Sequence, residues 1–281
     1  MYKIYDGPSL IDGAPIVALL TELSTNTGTG PMNQVYILCR DIKPTDALKS
    51  GDDVAICGDC PAKNAWCYVN VGQAPNTVWA AYRRGNYTVP TGEDWRKLRR
   101  RPTRFGAYGD PAAVPDGVWA RFGASTSYTH QWENTGVAAQ AYSMASVETR
   151  HQAEEAQWHG YRTFRVIAEG EKLMPKEIMC PKADGRLTCI DCMACHGNAN
   201  GRGANVAIPI HGPKLRHVSP KHQKYALYRE GLLTINAPTP AQQLYREETA
   251  AALALHTRTD TAQLLRDHRA ILAALDEEPS R

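Results

Sequence analysis

One stretch of the chain decides the fold class: Ser143-Met-Ala-Ser-Val-Glu-Thr-Arg-His-Gln-Ala-Glu-Glu-Ala-Gln-Trp-His-Gly-Tyr-Arg-Thr-Phe-Arg-Val-Ile167. Its first five residues and residues 161–167 have the composition of strands, whereas residues 150–159 predict a helix that carries Ala153, Ala156 and Trp158. A strand, a helix and a second strand in succession form a βαβ unit, in which the two strands run parallel. The stretch therefore predicts an α/β fold.

The same alternation continues on both sides of this stretch. We predict further strands at residues 103–108, 127–132 and 206–210, and helices at residues 44–49, 74–82, 115–121 and 137–142. A short strand at residues 54–56 is predicted to lead directly into Cys57. We therefore expect a mainly parallel sheet, either open or curved into a partial (β/α) barrel.

The domain organisation follows from a change in pattern near the C-terminus. Residues 1–236 are expected to form one α/β metal-cluster domain, with cysteine loops at 57–67 and 180–195. Pro238-Thr-Pro240 marks a boundary, and residues 237–281 then show helical periodicity. We expect this helical C-terminal extension to pack on the domain or to contact another protein.

Composition and charge narrow the function classes. Among the 281 residues, 43% are hydrophobic and 22% charged, which is ordinary for a globular protein. No apolar run has membrane-spanning length, and the N-terminus lacks the apolar region of a signal peptide, so we expect a cytoplasmic protein without a membrane partner. The net charge of +3 excludes a polyelectrolyte. Basic stretches at 96–104 and 214–224 could contact DNA, RNA or nucleotides, or form solvated faces.

Seven of the eight cysteines fall into two groups. The first cysteine group is Cys57, Cys60 and Cys67, and the second is Cys180, Cys189, Cys192 and Cys195. Thiolates spaced by two residues let a short loop wrap a soft metal centre. In a reducing compartment this pattern favours metal ligation over a disulfide framework. Cys39 stands alone and is predicted to be a buried strand residue.

The spacing leaves the metal and the number of centres open. Three cysteines could hold a 4Fe–4S cluster with one open iron, or zinc with a borrowed ligand. The second group could close a zinc site or a 4Fe–4S cluster by itself, and His196 could replace one of its ligands. Cys57 and Cys60 could also share a single zinc ribbon with Cys192 and Cys195.

Polar residues follow several predicted strands, at the edge where α/β folds bind ligands. The candidates for substrate contact or proton transfer are Asp110, His130, Glu148 and Arg165. Each also has a structural interpretation. Asp110 could be a turn residue before Pro111, and His130 a core histidine; Arg165 could form a salt bridge with Glu148 or Glu169.

The order of a strand, a three-cysteine loop, a helix, a strand and Gly109-Asp110-Pro111 is similar to the front of a radical S-adenosylmethionine (SAM) enzyme. The resemblance implies that Cys57, Cys60 and Cys67 hold a 4Fe–4S cluster and that residues 180–195 hold an auxiliary one. It also implies that Gly109 and Asp110 bind the amino group of SAM, with Asn70 and Gln73 as further cofactor-binding candidates. The spacing C-x2-C-x6-C departs from the family's C-x3-C-x2-C.

A closer resemblance, over residues 20–215, is to a cysteine-rich family of phage- and plasmid-encoded proteins. It rests on phrases such as Cys57-Gly-Asp-Cys-Pro61, Gly106-Ala-Tyr-Gly-Asp-Pro-Ala-Ala-Val-Pro115, Tyr128-Thr-His-Gln-Trp132 and Ala207-Ile-Pro-Ile-His-Gly212. The resemblance implies a mobile-element origin, a bacterial host cytoplasm and a role near phage nucleic-acid metabolism, without implying a reaction.

Three hypotheses follow. The first is an iron–sulfur enzyme, radical-SAM-like, that modifies a nucleotide or nucleic acid. The second is a nucleic-acid-binding or replication-associated protein that zinc or a cluster stabilises, without catalysis. The third is an iron–sulfur protein for electron transfer or sensing, which would not need polar strand ends. The absence of G-x-S-x-G and H-E-x-x-H motifs disfavours hydrolases of those classes.

Overall fold

The structure is a computed structural model that describes residues 1–63, 66–168, 170–198 and 203–211. Its strands form two five-stranded sheets. In spatial order, the first sheet contains β1 (Tyr2–Pro8), β2 (Pro15–Thr21), β3 (Asn33–Cys39), β4 (Thr103–Tyr108) and β5 (Ser125–Thr126). The second contains β6 (Tyr128–Thr129), β7 (Met144–Val147), β8 (Thr163–Ile167), β10 (Asn205–Pro209) and β9 (Glu177–Met179).

The first sheet is mixed. Strands β1, β2 and β3 pair antiparallel, whereas β3, β4 and β5 pair parallel. Strand β2 reads Pro-Ile-Val-Ala-Leu-Leu-Thr, and its five central residues are all buried. A continuous apolar run of this kind is typical of a strand covered on both faces.

The second sheet is parallel throughout. Only Ser127 separates β5 from β6, so the chain passes directly from one sheet into the other. The parallel strands therefore follow one another from β3 through β4, the β5–β6 segment, β7 and β8 to β10.

The helices connect these strands. They are α1 (Pro44–Ser50), α2 (Val54–Cys57), α3 (Ala74–Arg83), α4 (Gly92–Arg99), α5 (Asp116–Trp119), α6 (Val137–Tyr142), α7 (Arg150–Trp158) and α8 (Cys189–Cys192). Helices α4 and α7 begin with capping boxes, at Thr91 with Asp94 and at Thr149 with Gln152. Helix α7 buries Ala153 and Ala156. Short 3₁₀ turns follow β4 at Pro111–Ala113 and β6 at Trp132–Asn134.

The main core lies between the first sheet and its helices. Apolar residues of β2 and β3, including Ile16, Leu19 and Ile37, are fully buried there. An aromatic cluster extends the core beyond β4, where the rings of Phe105 and Trp119 stack with centroids 4.5 Å apart. Burial of these side chains supplies most of the driving force for folding.

The α/β class predicted from the sequence is confirmed, with a parallel-rich arrangement that includes an antiparallel edge at β1 and β2. The strand predicted at 54–56 is wrong, since Val54–Cys57 forms one turn of helix. The N–H groups of Cys57 and Gly58 donate to the carbonyls of Asp53 and Val54. A three-residue apolar run has no periodicity that separates helix from strand.

Other boundaries differ more modestly. The strand predicted at 127–132 ends at Thr129, because Trp132–Asn134 turns into a 3₁₀ helix. Strands β1, β5 and β9 and helices α4 and α8 were not predicted. The expected C-terminal extension at 237–281 and the basic stretch at 214–224 lie outside the described residues.

Within the described ranges, no helix combines the length and apolar character needed to cross a membrane.

Candidate functional site

A cavity of about 300 Å³ opens along the parallel strands. Its wall includes alternate residues of consecutive strands, namely Arg104, Gly106 and Tyr108 of β4, Tyr128 of β6, Ser146 of β7, Phe164 and Val166 of β8, and Val206 and Ile208 of β10. Since successive side chains of a strand point to opposite faces, these residues all belong to one face of the parallel strands. That shared face forms the cavity wall.

Both cysteine groups line this cavity, so all seven grouped cysteines meet there. Cys57 ends α2, and Cys60 and Cys67 lie in the loop that follows. Cys180 follows β9, Cys189 and Cys192 bound α8, and Cys195 lies three residues beyond it. The sequence predicted two metal-binding loops, and the structure adds that they face one space.

Backbone hydrogen bonds hold the second cysteine group against the strands. The Cys180 N–H donates to the Ala207 carbonyl of β10, at 2.8 Å. The Cys195 carbonyl accepts from the N–H of Ser127, between β5 and β6, also at 2.8 Å. These contacts fix both ends of the 180–195 loop to the cavity wall.

The first cysteine group is tied to the end of β4. The Asp110 N–H donates to the carbonyl of Ile56, beside Cys57. A Cβ on Gly58 would approach the side-chain nitrogen of Gln131 to 2.4 Å, so the 57–60 loop lies directly on the segment after β6. The φ of +53° at Gly58, which side chains rarely adopt, favours glycine at that position.

The electrostatics show that the thiols of each group are close neighbours. Burial, and then the negative charges of Cys60, Asp53 and Cys67, raise the pKa of Cys57 well above its usual value. Burial and the charges of Cys180, Cys189 and Cys192 likewise raise the pKa of Cys195. The protonated form of Cys57 and of Cys195 is therefore favoured. As the side chains stand, the described residues contain no set of three or more His, Cys, Asp or Glu arranged to hold a metal ion.

A chain of three side chains connects Cys60 to the interior. His130 Nδ1 lies 3.4 Å from Cys60 Sγ, and His130 Nε2 lies 2.8 Å from Glu148 Oε1. The Glu148 side chain is fully buried, with an exposed fraction of 0%. Burial would lower the pKa of His130, but the charges of Cys60 and Glu148 outweigh it and hold the pKa well above the ordinary value. The imidazole is thus oriented by a carboxylate and directed at a cysteine.

Asp110 reaches the cavity together with Gly109. One Asp110 carboxylate oxygen accepts from the backbone N–H of Ala112 at 2.9 Å and the other from that of His130 at 2.8 Å. Burial raises the pKa of this carboxyl, although hydrogen bonds from Thr129 and the Ala112 backbone oppose the shift. Asp110 therefore has the turn-capping role considered from the sequence, and it also joins the ends of β4 and β6.

Several predicted site residues lie elsewhere. Arg165 is on the opposite face of β8 from Phe164 and Val166, and it pairs with Glu171 and Glu177 rather than with Glu148. Glu169 lies outside the described residues. Asn70 and Gln73 are exposed and do not line the cavity. His196 contacts Arg162 instead of joining the second cysteine group.

The cavity also contains residues that no sequence motif singles out, among them Arg104 and Tyr108. Arg104 Nη2 donates to the hydroxyls of both Tyr68 and Tyr128. The buried Tyr108 hydroxyl has no hydrogen-bond partner among the described residues. The period-2 alternation of β4 places 104, 106 and 108 on one face, but it does not indicate which face is enclosed.

Comparison of the chain with family models, with curated proteins and with solved structures finds no match in any of the three.

Proposed function

We propose that this protein is an iron–sulfur cluster enzyme that acts on a nucleotide or nucleic acid within the cavity. One observation carries the proposal, the convergence of seven cysteines on a single space. Cysteine thiolates are the ligands that iron–sulfur clusters use. The Tyr108 hydroxyl, which no other described residue engages in a hydrogen bond, adds a donor on the same wall, suited to an anionic acceptor such as a thiolate or a sulfide.

The topology supports a radical-SAM-like partial barrel as the finer architecture. Consecutive parallel strands from β4 to β10 present one face each to the cavity. The first cysteine group lies between β3 and β4, and Gly109-Asp110 follows β4 directly. In such a barrel, ligands bind at the carboxyl ends of the strands, where these residues lie. SAM is accordingly the proposed cofactor.

The residues that line the cavity would have three roles in this enzyme. Cys57, Cys60 and Cys67 would hold one cluster and the second cysteine group a further one, which when bound supplies electron transfer. His130, held by Glu148, fixes the position of Cys60. The apolar wall formed by Phe164, Val166 and Ile208 limits access of water to the reacting atoms.

Anaerobic purification tests this proposal. The protein is expected to be brown and to contain iron and acid-labile sulfide in cluster stoichiometry. The reduced protein, incubated with SAM, is expected to release deoxyadenosine. Iron and sulfide without any SAM-derived product would instead indicate a cluster protein for electron transfer or sensing. A preparation without iron would contradict the proposal altogether.

A specific observation favours a second candidate, a zinc-stabilised nucleic-acid-binding protein. Metal-binding histidines usually donate their second ring nitrogen to a carboxylate, and Glu148 holds His130 in this way while Nδ1 faces Cys60. His130 could thus complete a Cys₃His zinc site with the first cysteine group. The basic helix α4 would then contact phosphates. A colourless protein with stoichiometric zinc would support this candidate over the enzyme.

The resemblance to phage and plasmid proteins supports a mobile-element origin. A bacterial host cytoplasm would then be the place of action, and nucleic-acid modification the process served. The basic residues that α4 exposes beside its buried Trp95 and Leu98 provide a surface suited to that substrate.

A further inference from the structure

We propose that Arg104 forms an anion subsite in the cavity and that its ligand is the phosphate of a mononucleotide, free or flipped out of a strand. The identity of the ligand as substrate rests on the proposed function. The binding of the anion does not, because Arg104 is present with or without a metal centre.

Among the described residues, Arg104 is a cation without an acidic partner. It lies on the cavity wall, and among the described residues no carboxylate forms a salt bridge with it. Its Nη2 donates to Tyr68 and Tyr128, while its Nε and Nη1 donate to none of the described residues. By contrast, the fully buried Arg165 pairs with both Glu171 and Glu177. A cation that lines a cavity without a counter-charge attracts anions, so a bound anion would stabilise Arg104.

The surroundings hold the guanidinium in place. Its central carbon lies 5.7 Å from the Tyr68 ring centre and 5.6 Å from that of Tyr128. Tyr128 in turn stacks on Phe164, with centroids 4.4 Å apart, and Tyr68 stacks on His211, at 5.4 Å. A planar guanidinium fixed between aromatic rings keeps its remaining N–H groups available for bidentate recognition of phosphate.

A second cation lines the same cavity. Lys182 lines the wall, and its positive charge acts on both Cys189 and His211, as does that of Arg104. Burial and these two charges lower the pKa of His211, and they outweigh the hydrogen bond to the Pro209 carbonyl, which raises it. His211 is therefore a neutral ring beside two cations, which suits a ligand with an anionic and an aromatic part.

The size of the cavity limits the class of ligand. About 300 Å³ is at the lower end of the range for small-molecule sites and excludes a duplex. A single nucleotide, either free or extruded from a strand, is of suitable size. The competing role for Arg104 is to balance the charge of the nearby Cys189 and Cys195 when they ligate a metal.

The test compares three arginine variants in equilibrium dialysis with radiolabelled AMP, using inorganic phosphate as the competitor. We expect the wild-type protein to bind AMP and phosphate to displace it. Arg104→Gln should weaken binding at least about tenfold, as expected for loss of hydrogen bonds to a charged group. Arg104→Lys keeps the positive charge but lacks the forked guanidinium. Its AMP affinity should lie between those of the wild type and Arg104→Gln.

Arg121→Gln is the matched control. Arg121 also lies over an aromatic ring, that of Trp95 at 4.0 Å, but it does not line the cavity. Its substitution should leave AMP affinity unchanged. Circular dichroism and thermal unfolding of each variant verify that Arg104→Gln folds, and Lys182→Gln provides a second, independent loss of affinity should it not.

Three results would overturn the proposal: a wild-type protein that binds no AMP, an Arg104→Gln protein that binds AMP as the wild type does, or AMP that phosphate fails to displace. Iron and sulfide are measured on the same samples. Loss of iron from Arg104→Gln with unchanged AMP affinity would identify Arg104 as the counter-charge of a cluster. Iron-free wild-type protein that binds AMP through Arg104 would uphold the subsite and contradict the cluster enzyme.

Discussion

A single glycine sets the turn from which the site is built. Gly109 follows β4 with a φ of +82°, which side chains rarely adopt. A Cβ at this position would lie 2.6 Å from the carbonyl oxygen and 2.7 Å from the Cβ of Ile37. Because Asp110 comes next and bonds to both Ile56 and His130, the position of the first cysteine group depends on this turn.

We expect Gly109→Ala to lower the free energy of unfolding by about 2–4 kcal/mol, since it combines left-handed strain with overpacking. Denaturant unfolding followed by circular dichroism measures the effect. Gly117→Ala in α5 is the control, because no heavy atom lies within 4 Å of a Cβ placed there. Similar unfolding midpoints for the two variants would contradict the packing described at Ile37.

At the scale of secondary-structure elements, a buried ion pair joins β8 to β9 across β10. Arg165 Nη2 and Glu177 Oε2 lie 2.7 Å apart, and both side chains have an exposed fraction of 0%. Glu171, in the connecting loop, also pairs with Arg165. This face of the sheet is therefore stabilised by charge pairing, whereas the opposite face lines the cavity.

Removing Arg165 should leave the fully buried Glu177 carboxylate without its counter-charge. We expect Arg165→Met to cost about 3–5 kcal/mol of stability, measured by chemical denaturation. Arg83→Met, which breaks an exposed pair with Asp41, should cost less than about 1 kcal/mol. Equal effects of the two substitutions would show that Arg165 is not buried as described.

The same pair predicts an acid dependence. Burial alone would raise the pKa of Glu177, but hydrogen bonds from Arg165 and the Met174 backbone outweigh it and hold the pKa below the usual 4.5. A carboxyl with a lowered pKa in the folded state stabilises the protein above its unfolded-state value and loses this contribution as pH falls through the folded-state value. Below pH 4.5, the wild type should therefore lose stability more steeply than Glu177→Gln. Parallel pH profiles from denaturant titrations would exclude a contribution from this pair.

Helix α4 is the element suited to nucleic acid. It buries Trp95 and Leu98 and exposes Arg96 and Lys97, with Arg100 exposed just after its end. Arg96→Gln together with Arg100→Gln should weaken single-stranded DNA binding and reduce the slope of log K against log salt by about 0.7 for each phosphate that is no longer neutralised. Arg83→Gln with Arg84→Gln at the end of α3 is the control pair, measured by fluorescence anisotropy at several salt concentrations. An unchanged slope after the α4 substitutions would exclude this helix from the interface.

For the molecule as a whole, the cavity is a meeting point of loops that are far apart in sequence. Residues from the 57–67 loop, the 180–195 loop and the strands between them share one wall. A metal centre held by these loops would therefore link both sheets. A metal centre that binds only the folded state stabilises that state by mass action. Metal loading should therefore raise the stability of the whole protein against unfolding.

We expect anaerobic reconstitution with iron and sulfide to raise the unfolding temperature in calorimetry. Replacing Cys57 and Cys60 together with serine should reduce this rise and lower the bound iron. Cys39→Ala should leave the rise in unfolding temperature unchanged. Cys39 is buried at the end of β3, its thiol contacts the Asp52 carbonyl, and it does not line the cavity. A rise that persists without Cys57 and Cys60 would place the metal elsewhere.

Much of the local structure was predictable because it depends on neighbouring residues. The strand at 103–108 and the helix at 137–142 match the structure, since each has a turn residue at its border. The segment 54–56 was misassigned as a strand because three apolar residues fit a helical turn equally well. Helix α4 was not predicted because its basic residues indicate a phosphate-binding stretch and do not show a helical pattern. Thr91 and Asp94, which form a capping box, are the sequence signal for this helix.

The sequence by itself determined the alternation of strands and helices, the donor chemistry of the thiols, and the polar residues after the strands. Only the tertiary structure decided that both cysteine groups face one cavity, that Arg104 points into it and that Arg165 points away. The physical reason is that alternation along a strand assigns residues to two faces but does not say which face is enclosed. That choice depends on the pairing of β4, β8 and β10 with distant strands, which forms only when the whole chain folds.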